Sequence, residues 1–184
     1  MSAFGSLSQI VVIIPAYNPG AELLQLCEKL LQHDFAALVV VDDGSQSSPV
    51  FTALAALPRV QLLRHAINAG KGRALKTAFN HCLLQPGQLL GVVTADADGQ
   101  HRPEDIVHVA SRLLNPDVQR DGRLVLGVRE FQGEVPLRSR IGNTLTRGVF
   151  RLLYGLDLRD TQTGLRAMPM SLLPGDRKST RLNS

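Results

Sequence analysis

The chain alternates short apolar runs with longer segments in which apolar residues recur at helical spacing. The runs at 10–14, 38–41, 60–63, 89–94 and 124–128 are rich in valine, isoleucine and leucine, and near-continuous apolar runs of this length suit strands buried on both faces. Between them, Pro19-Gly20 opens a predicted helix over about 21–32, with Leu23, Leu26, Leu30 and Leu31 on one face. A second helix is predicted near 49–57. A third follows Asn68-Ala69-Gly70-Lys71-Gly72 and runs to about Leu84, with Ala74, Leu75, Ala78, Phe79 and Cys82 at helical spacing. Pro103-Glu104-Asp105 starts a fourth, because proline fits a first turn and acids are favoured there by the helix dipole. Strand and helix in alternation predict an α/β fold with a parallel sheet.

In open parallel sheets, ligands bind beyond the carboxyl ends of the strands. The polar clusters fall at those ends. Ala16-Tyr17-Asn18 follows the first run, Asp42-Asp43-Gly44-Ser45 the second, and Asp96-Ala97-Asp98-Gly99-Gln100-His101 the fourth. Paired carboxylates one residue apart supply hard oxygen donors, and Mg²⁺ or Mn²⁺ commonly shares one or two such carboxylates with substrate phosphates. The pattern therefore points to a nucleotide-activated substrate, although an isolated D-x-D is also an ordinary polar turn. A carboxylate such as Asp42 can accept hydrogen bonds from a nucleobase or a ribose; the alternative is an Asx-type turn that caps the next helix, a reading that suits Ser45 more than Asp42. Pro15 and Tyr17 can flank a base by stacking, or simply pack. The loop 68–73 presents backbone N–H groups and Lys71 to an anion, yet lacks P-loop spacing and reads equally as a plain connection into a helix.

Composition narrows the classes. The 184 residues carry 44% hydrophobic residues and a formal charge of +4, enough for a buried core in a single domain. Tryptophan is absent and aromatics are 4%, and the first half of the chain shows no basic stripe with stacking rings of the kind that strong nucleic-acid binding calls for. Cys27 and Cys82 lie far apart on predicted helices, without metal or redox spacing. They read as buried thiols in a reducing compartment. No run approaches the roughly 20 apolar residues that span a bilayer.

Between Arg129 and Arg166, arginines at 129, 138, 140, 147, 151, 159 and 166 outnumber the acids. Ile141, Leu145, Val149, Leu152, Leu153 and Leu156 share one helical face, with Arg140, Arg147 and Arg151 on another, a basic amphipathic pattern that suits an anionic lipid surface or a core-packed helix with a solvated arginine face. The cluster Asp160-Thr161-Gln162-Thr163-Gly164-Leu165-Arg166 gathers a carboxylate, an amide, hydroxyls and a guanidinium, and is expected to be functional. His101 could join a metal, although a lone histidine after a D-x-D is more often a neighbour than a ligand, and His33, His65, His81 and His108 carry no functional expectation.

Taken in order, Ile14-Pro15-Ala16-Tyr17-Asn18, Val40-Val41-Asp42-Asp43-Gly44-Ser45, Asn68 to Gly72, Asp96 to His101, Gly127-Val128-Arg129 and Asp160 to Gly164 resemble the family-two glycosyltransferases of GT-A fold, and within them the dolichyl/polyprenyl-phosphate sugar synthase branch. The resemblance covers about 10–166. It implies a GT-A, Rossmann-like sandwich with a mostly parallel central sheet, in which Pro15, Tyr17, Asp42, Asp43, Lys71 and the Asp96-Ala97-Asp98 segment hold a UDP- or GDP-sugar. Asp96, Asp98 and Gln100 would hold Mg²⁺ or Mn²⁺, Arg129 and Arg140 the acceptor phosphate, and Asp98, Arg129 and Asp160 the chemistry. The family often has Glu after Tyr-Asn, where this chain has Pro19.

The implied reaction is inverting sugar transfer to a polyprenyl phosphate at the cytoplasmic face of a membrane, with no nucleic-acid partner and an open oligomeric state. Rival readings are transfer to a saccharide hydroxyl, for which Asp160 would be the base, and a non-catalytic sugar-nucleotide-binding fragment. The Q-x-x-R-W motif of processive synthases is absent, as is the G-x-G-T-R-type loop of nucleotidyltransferases.

The catalytic domain is expected to span 8–175. Residues 176–184, Asp-Arg-Lys-Ser-Thr-Arg-Leu-Asn-Ser, have no hydrophobic period and match, codon for codon, the translation of a common sequencing-library adapter. They are read as a non-native tail, the natural chain continuing past about Gly175 into a C-terminus whose membrane segments, if any, are lost. Amplification of the locus from source DNA is expected to give different codons after Gly175; these same codons followed by a stop would overturn that reading.

Overall fold

The computed structural model describes residues 5–46, 48–85, 87–127 and 164–173. Six strands, β1 (Ile10–Ala16), β2 (Ala37–Asp42), β3 (Val60–Arg64), β4 (Gly91–Thr94), β5 (Val125–Leu126) and β6 (Arg166–Pro169), form one sheet in the order β3-β2-β1-β4-β6-β5. The first four run parallel, and β6 is antiparallel to both β4 and β5.

The helices are α1 (Ala21–Leu30), α2 (Pro49–Ala55), α3 (Lys71–Leu83), α4 (Pro103–Ser111) and α5 (Pro116–Asp121). Proline stands in the first turn of α2, α4 and α5, where its missing N–H leaves no helical bond unmade. Ser48 and Asn115 cap α2 and α5 through their side chains, and Gly122 closes α5 in the left-handed region, as a C-terminal glycine commonly does.

Alternate residues of the central strands feed two separate core layers. Ile10, Val12, Ile14, Leu38 and Val40 pack with Leu23, Leu26, Cys27 and Leu30 of α1, Phe51 and Leu54 of α2, and Ile106, Val109 and Ala110 of α4. Val11, Ile13, Val39 and Val41 face the other way, onto Ala74, Leu75, Ala78, Phe79 and Cys82 of α3. This period-two division requires a sheet covered on both sides, and it explains why β1 and β2 read as unbroken apolar runs. Both cysteines are buried. Burial, with the charge of Glu28, pushes the Cys27 thiol up to about 12, and burial pushes Cys82 up to about 11, so both stay protonated and unreactive at neutral pH.

Register sets β1 and β2 to end together and β4 to end three residues earlier. Ala16 lies opposite Asp42, and Ile13 opposite Thr94. Backbone bonds continue past the strands: Asp43 N–H donates to Ala16 O at 2.8 Å, His65 N–H to Asp42 O at 2.8 Å, and Ala95 N–H to Ile13 O at 3.0 Å. The loops beyond β1 and β2 are then knitted together, with Asn18 N–H donating to Ser45 Oγ at 2.8 Å and Gln46 N–H to Asn18 Oδ1 at 3.2 Å.

The predicted strands and the first four helices are present, shifted by a few residues at their ends. Two elements were not anticipated. The first is α5. The second is β6, which inserts between β4 and β5 and turns that edge of the sheet antiparallel. Gly127 N–H donates to Leu165 O at 3.0 Å, so the chain on either side of 128–163 meets at the sheet. The basic amphipathic helix expected over about 141–156 lies outside the described residues, as do Arg129, Arg140, Asp160 and the 176–184 tail.

Gly44 and Gly70 both have positive φ, 73° and 89°, but differ in their surroundings. A Cβ on Gly44 would lie 2.2 Å from the backbone carbon of Ile67, whereas one on Gly70 would meet nothing within 4 Å. Gly44→Ala is expected to lower the unfolding free energy by about 2 kcal/mol or more, and Gly70→Ala by about 1 kcal/mol. Urea denaturation of the two variants checks that order.

Candidate functional site

The carboxyl edge of the sheet opens into a cleft of about 380 Å³ lined by Pro15, Ala16, Tyr17, Asn18, Pro19, Gly20, Glu22, Asp43, Lys71, Asp96, Ala97 and Asp98. The volume lies within the usual range for small-molecule sites. Five segments build it: the end of β1, the start of α1, the loop after β2, the first residue of α3, and the loop after β4. Tyr17 is 53% exposed, leaving its ring face open for stacking on a planar ligand.

Asp96 is the electrostatic centre. Lys71 Nζ forms a charge-assisted hydrogen bond to Asp96 Oδ1, and His101 Nε2 stands 3.7 Å from Oδ2. Burial alone would raise the Asp96 pKa, but the nearby His101 and the hydrogen-bonded, charged Lys71 outweigh it and hold the carboxyl well below the usual carboxylate range. Arg166, only 2% exposed on β6, shares a smaller cavity with Pro15, Lys71, Thr94, Asp96 and Gly164. Burial lowers its pKa to about 10 against the opposing charge of Asp96, so it remains a cation. Gly164 presses on the same carboxylate: a Cβ there would lie 2.2 Å from Asp96 Oδ2. Thr94 Oγ1 donates to Gly164 O at 2.9 Å and fixes that approach. The end of the Asp160–Gly164 motif is therefore at the site, although Asp160 itself lies outside the described residues.

Asp98 is exposed, and its Oδ1 accepts from Gln100 N–H at 3.0 Å in a tight turn completed by Gly99 at φ 72°. Glu22, in the first turn of α1, faces this turn across the cleft, its Cβ 3.2 Å from where a Gly99 Cβ would stand. Glu22 held no place in the sequence reading; as a first-turn acid it looks like an ordinary helix feature.

Two expected donor contacts turn out to be engaged within the protein. Asp42, 2% exposed, accepts from Ser45 N–H at 2.8 Å and meets Arg64 Nε at 3.2 Å, which is the Asx-type alternative. Asp43 lines the cleft, yet its Oδ1 accepts from Ala69 N–H at 3.0 Å and pairs with His65 Nδ1 at 2.7 Å, while Oδ2 accepts from Gly70 N–H at 2.7 Å. His65, which carried no expectation, is thus part of the framework of the site, and its other nitrogen lies 2.9 Å from Thr77 Oγ1. The available signal was its place: the first residue beyond a strand, three before the Asn68 loop.

The donor chemistry fits a divalent cation. Asp96 and Asp98 offer ionised carboxylate oxygens and Gln100 an amide oxygen, and Asp96 already holds a cation in the form of the Lys71 ammonium. His101 Nε2 is buried beside it without a hydrogen-bond partner, a group that ordered water or a ligand oxygen would satisfy. Among the described residues no three His, Cys, Asp or Glu side chains gather into a closed cage, so a cation here would complete its shell with water and ligand oxygens, as Mg²⁺ habitually does.

A mostly parallel sheet between helices, with a D-x-D turn and a cleft at its carboxyl edge, is the GT-A fold of nucleotide-sugar transferases. Residues 11–160 match Glycosyl transferase family 2, and the chain belongs to that family: it is a glycosyltransferase. It is 30% identical over 181 residues to a UDP-N-acetylglucosamine–dolichyl-phosphate N-acetylglucosaminyltransferase of Methanococcus voltae, covering 89% of this chain and 70% of that protein. It is 32% identical over 173 residues to the polyprenol monophosphomannose synthase of Mycolicibacterium smegmatis, covering 89% of this chain and 62% of that one. The glucosyl-3-phosphoglycerate synthase of Mycobacterium tuberculosis, solved with Mn²⁺, UDP and phosphoglyceric acid, superposes with a TM-score of 0.57 at 19% identity, over 88% of this chain and 56% of that one. That likeness is one of fold.

Because the folded Asp96 carboxyl titrates below the unfolded value of about 3.9, its ionised form stabilises the fold above about pH 4, and that contribution is lost as the pH falls towards the folded pKa. Measured in chelator by denaturant titration, the stability gap between the protein and Asp96→Asn is expected to shrink on acidification below about pH 4. A gap that widens there contradicts the assignment.

Proposed function

We propose that this glycosyltransferase moves a sugar from a UDP- or GDP-sugar to the phosphate of a polyprenyl lipid, with inversion at the anomeric carbon, using Mg²⁺ or Mn²⁺. The observation that carries the reading is the cleft itself, whose lining brings together Pro15, Tyr17, Lys71, Asp96 and Asp98. Such a lining offers a ring for a planar base and charged groups for a diphosphate with its cation. The named acceptors of the Methanococcus and Mycolicibacterium relatives, a dolichyl phosphate and a polyprenol phosphate, support the lipid phosphate.

In this reading Asp96, Ala97 and Asp98, with Gln100, would form the cation site, and the bound ion supplies Lewis-acid stabilisation of the charge that develops on the departing nucleoside diphosphate. Lys71 places a fixed positive charge beside the same oxygens, an electrostatic contribution that strengthens as water is excluded. His101 and Lys71 keep Asp96 ionised. Asp42 closes the turn under the nucleoside site, and Asp43 holds the loop that carries Lys71. Arg129 and Arg140 are proposed to bind the acceptor phosphate. A lipid phosphate is anionic at neutral pH and attacks without a strong base; Asp160 would serve as base only for a hydroxyl acceptor. Such an acceptor implies work at a membrane surface, at its cytoplasmic face where sugar nucleotides are available. Among the described residues no helix is long and apolar enough to cross a membrane.

Incubation with a panel of UDP- and GDP-sugars, Mn²⁺ and a short polyprenyl phosphate is expected to yield a lipid-linked sugar in one donor lane. Asp98→Asn should lower kcat about a hundredfold or more, with an unchanged circular dichroism spectrum. Sugar transferred only to a saccharide, or donor bound without turnover, would replace the lipid-phosphate reading.

A further inference from the structure

We infer that His65 is a positioning residue for the donor site: by fixing Asp43 against the backbone of Ala69 and Gly70, it determines where Lys71 reaches. This rests on the reading of Lys71 as a ligand of the donor diphosphate.

The argument begins with what α3 lacks. Its N-cap is Gly70, which has no side chain to close the first turn. Helix starts normally satisfy their leading N–H groups with a capping side chain; here the orientation of the first helical residue, Lys71, depends on how the preceding loop is held. Asp43 holds it from another strand, taking Ala69 N–H at 3.0 Å and Gly70 N–H at 2.7 Å. Its side chain is only 3% exposed, so the carboxylate must be satisfied from within the protein.

His65 completes that satisfaction and sets its geometry. The ring is gripped at both nitrogens, Nδ1 against Asp43 Oδ1 at 2.7 Å and Nε2 against Thr77 Oγ1 at 2.9 Å. An ionised carboxylate only accepts, so Nδ1 carries the proton and donates to Asp43, and the rotatable Thr77 hydroxyl meets Nε2 as donor or acceptor. Thr77 lies on α3 itself, so the imidazole joins the body of the helix to the carboxylate that anchors its start. The backbone of His65 is fixed too, its N–H donating to Asp42 O at 2.8 Å. Gly44 then lets the β2 loop press directly on the backbone of Ile67 and Asn68. Lys71 is the next residue after this clamp, and its ammonium reaches Asp96 across the cleft. A shift of the loop would move the ammonium away from the oxygens it serves.

Isosteric replacement separates the two ends of the ring. His65→Asn places an amide nitrogen where the imidazole has Nδ1, and His65→Gln places one near the position of Nε2. These two variants and His65→Ala are compared by amide hydrogen exchange and by binding of UDP or GDP with Mn²⁺, in wild-type and Lys71→Ala backgrounds. In His65→Ala and His65→Gln, the Ala69 and Gly70 amides are expected to exchange about tenfold faster relative to amides of β1 and β2, and nucleotide affinity to fall about tenfold, the equivalent of one lost hydrogen bond. His65→Asn should keep both close to wild type. In the Lys71→Ala background the loss of affinity caused by the His65 substitutions should vanish, because the two residues act as a unit.

Exchange at Ala69 and Gly70 that rises only in step with the rest of the protein overturns the inference, as does His65→Asn behaving like His65→Ala. An equal loss of affinity in both backgrounds overturns it as well. If the wild-type protein binds neither nucleotide, the donor reading fails, and the exchange pattern alone decides whether His65 sets the loop.

Discussion

A buried carboxylate that bridges two loops is the interaction on which the site depends. Asp43 leaves β2 and takes its hydrogen bonds from the turn that begins α3, a segment separated from it by α2 and β3. Two backbone N–H groups and an imidazole converge on two oxygens, so the charge is stabilised by fixed dipoles in place of water. The cation of Lys71 is consequently delivered to Asp96 by a rigid route from one strand end to another. The separation of roles between neighbouring aspartates is physical: Asp42 and Asp43 point inward and hold loops, whereas Asp96 is only partly covered and Asp98 meets solvent.

Around Asp96 the arrangement is unusual in its charge balance. Lys71, His101 and Arg166 all lie near one carboxylate, and Gly164 packs on it so closely that a side chain there would collide with it. A carboxylate so surrounded stays ionised over the whole neutral range. It is a fixed negative charge in a locally positive setting.

Much of this was readable in the chain. The unbroken apolar runs of β1 and β2 and the helical spacing of α1 and α3 reflect burial on both faces, and polar residues directly after such strands mark the carboxyl edge. Strand β6 escaped because Arg166-Ala-Met-Pro169 has no β-branched run, begins with a charge and ends in a residue that cannot donate to a ladder; it pairs antiparallel, and its place is set by β4, not by local propensity. The first four strands could be read locally; β6 could not. His65 escaped for a related reason. Its partners Asp43 and Thr77 lie 22 and 12 residues away on different elements, so no spacing along the chain announces them. Asp42 and Asp43 were legible as a polar turn at a strand end, but that both carboxylates are engaged by the protein's own loops is decided by partners that include the distant Arg64, His65, Ala69 and Gly70.

The hydrogen bond from Gly127 to Leu165 has a further meaning for how such a protein diversifies. The 128–163 stretch departs from and rejoins the sheet at a single point, so its ends are held at a fixed span whatever lies between them. Insertions or replacements there need not slide the register of β6 or disturb the glycine packed on Asp96. The sheet and the cleft at its edge can thus stay constant while the intervening stretch is exchanged, much as a tool holder accepts different bits.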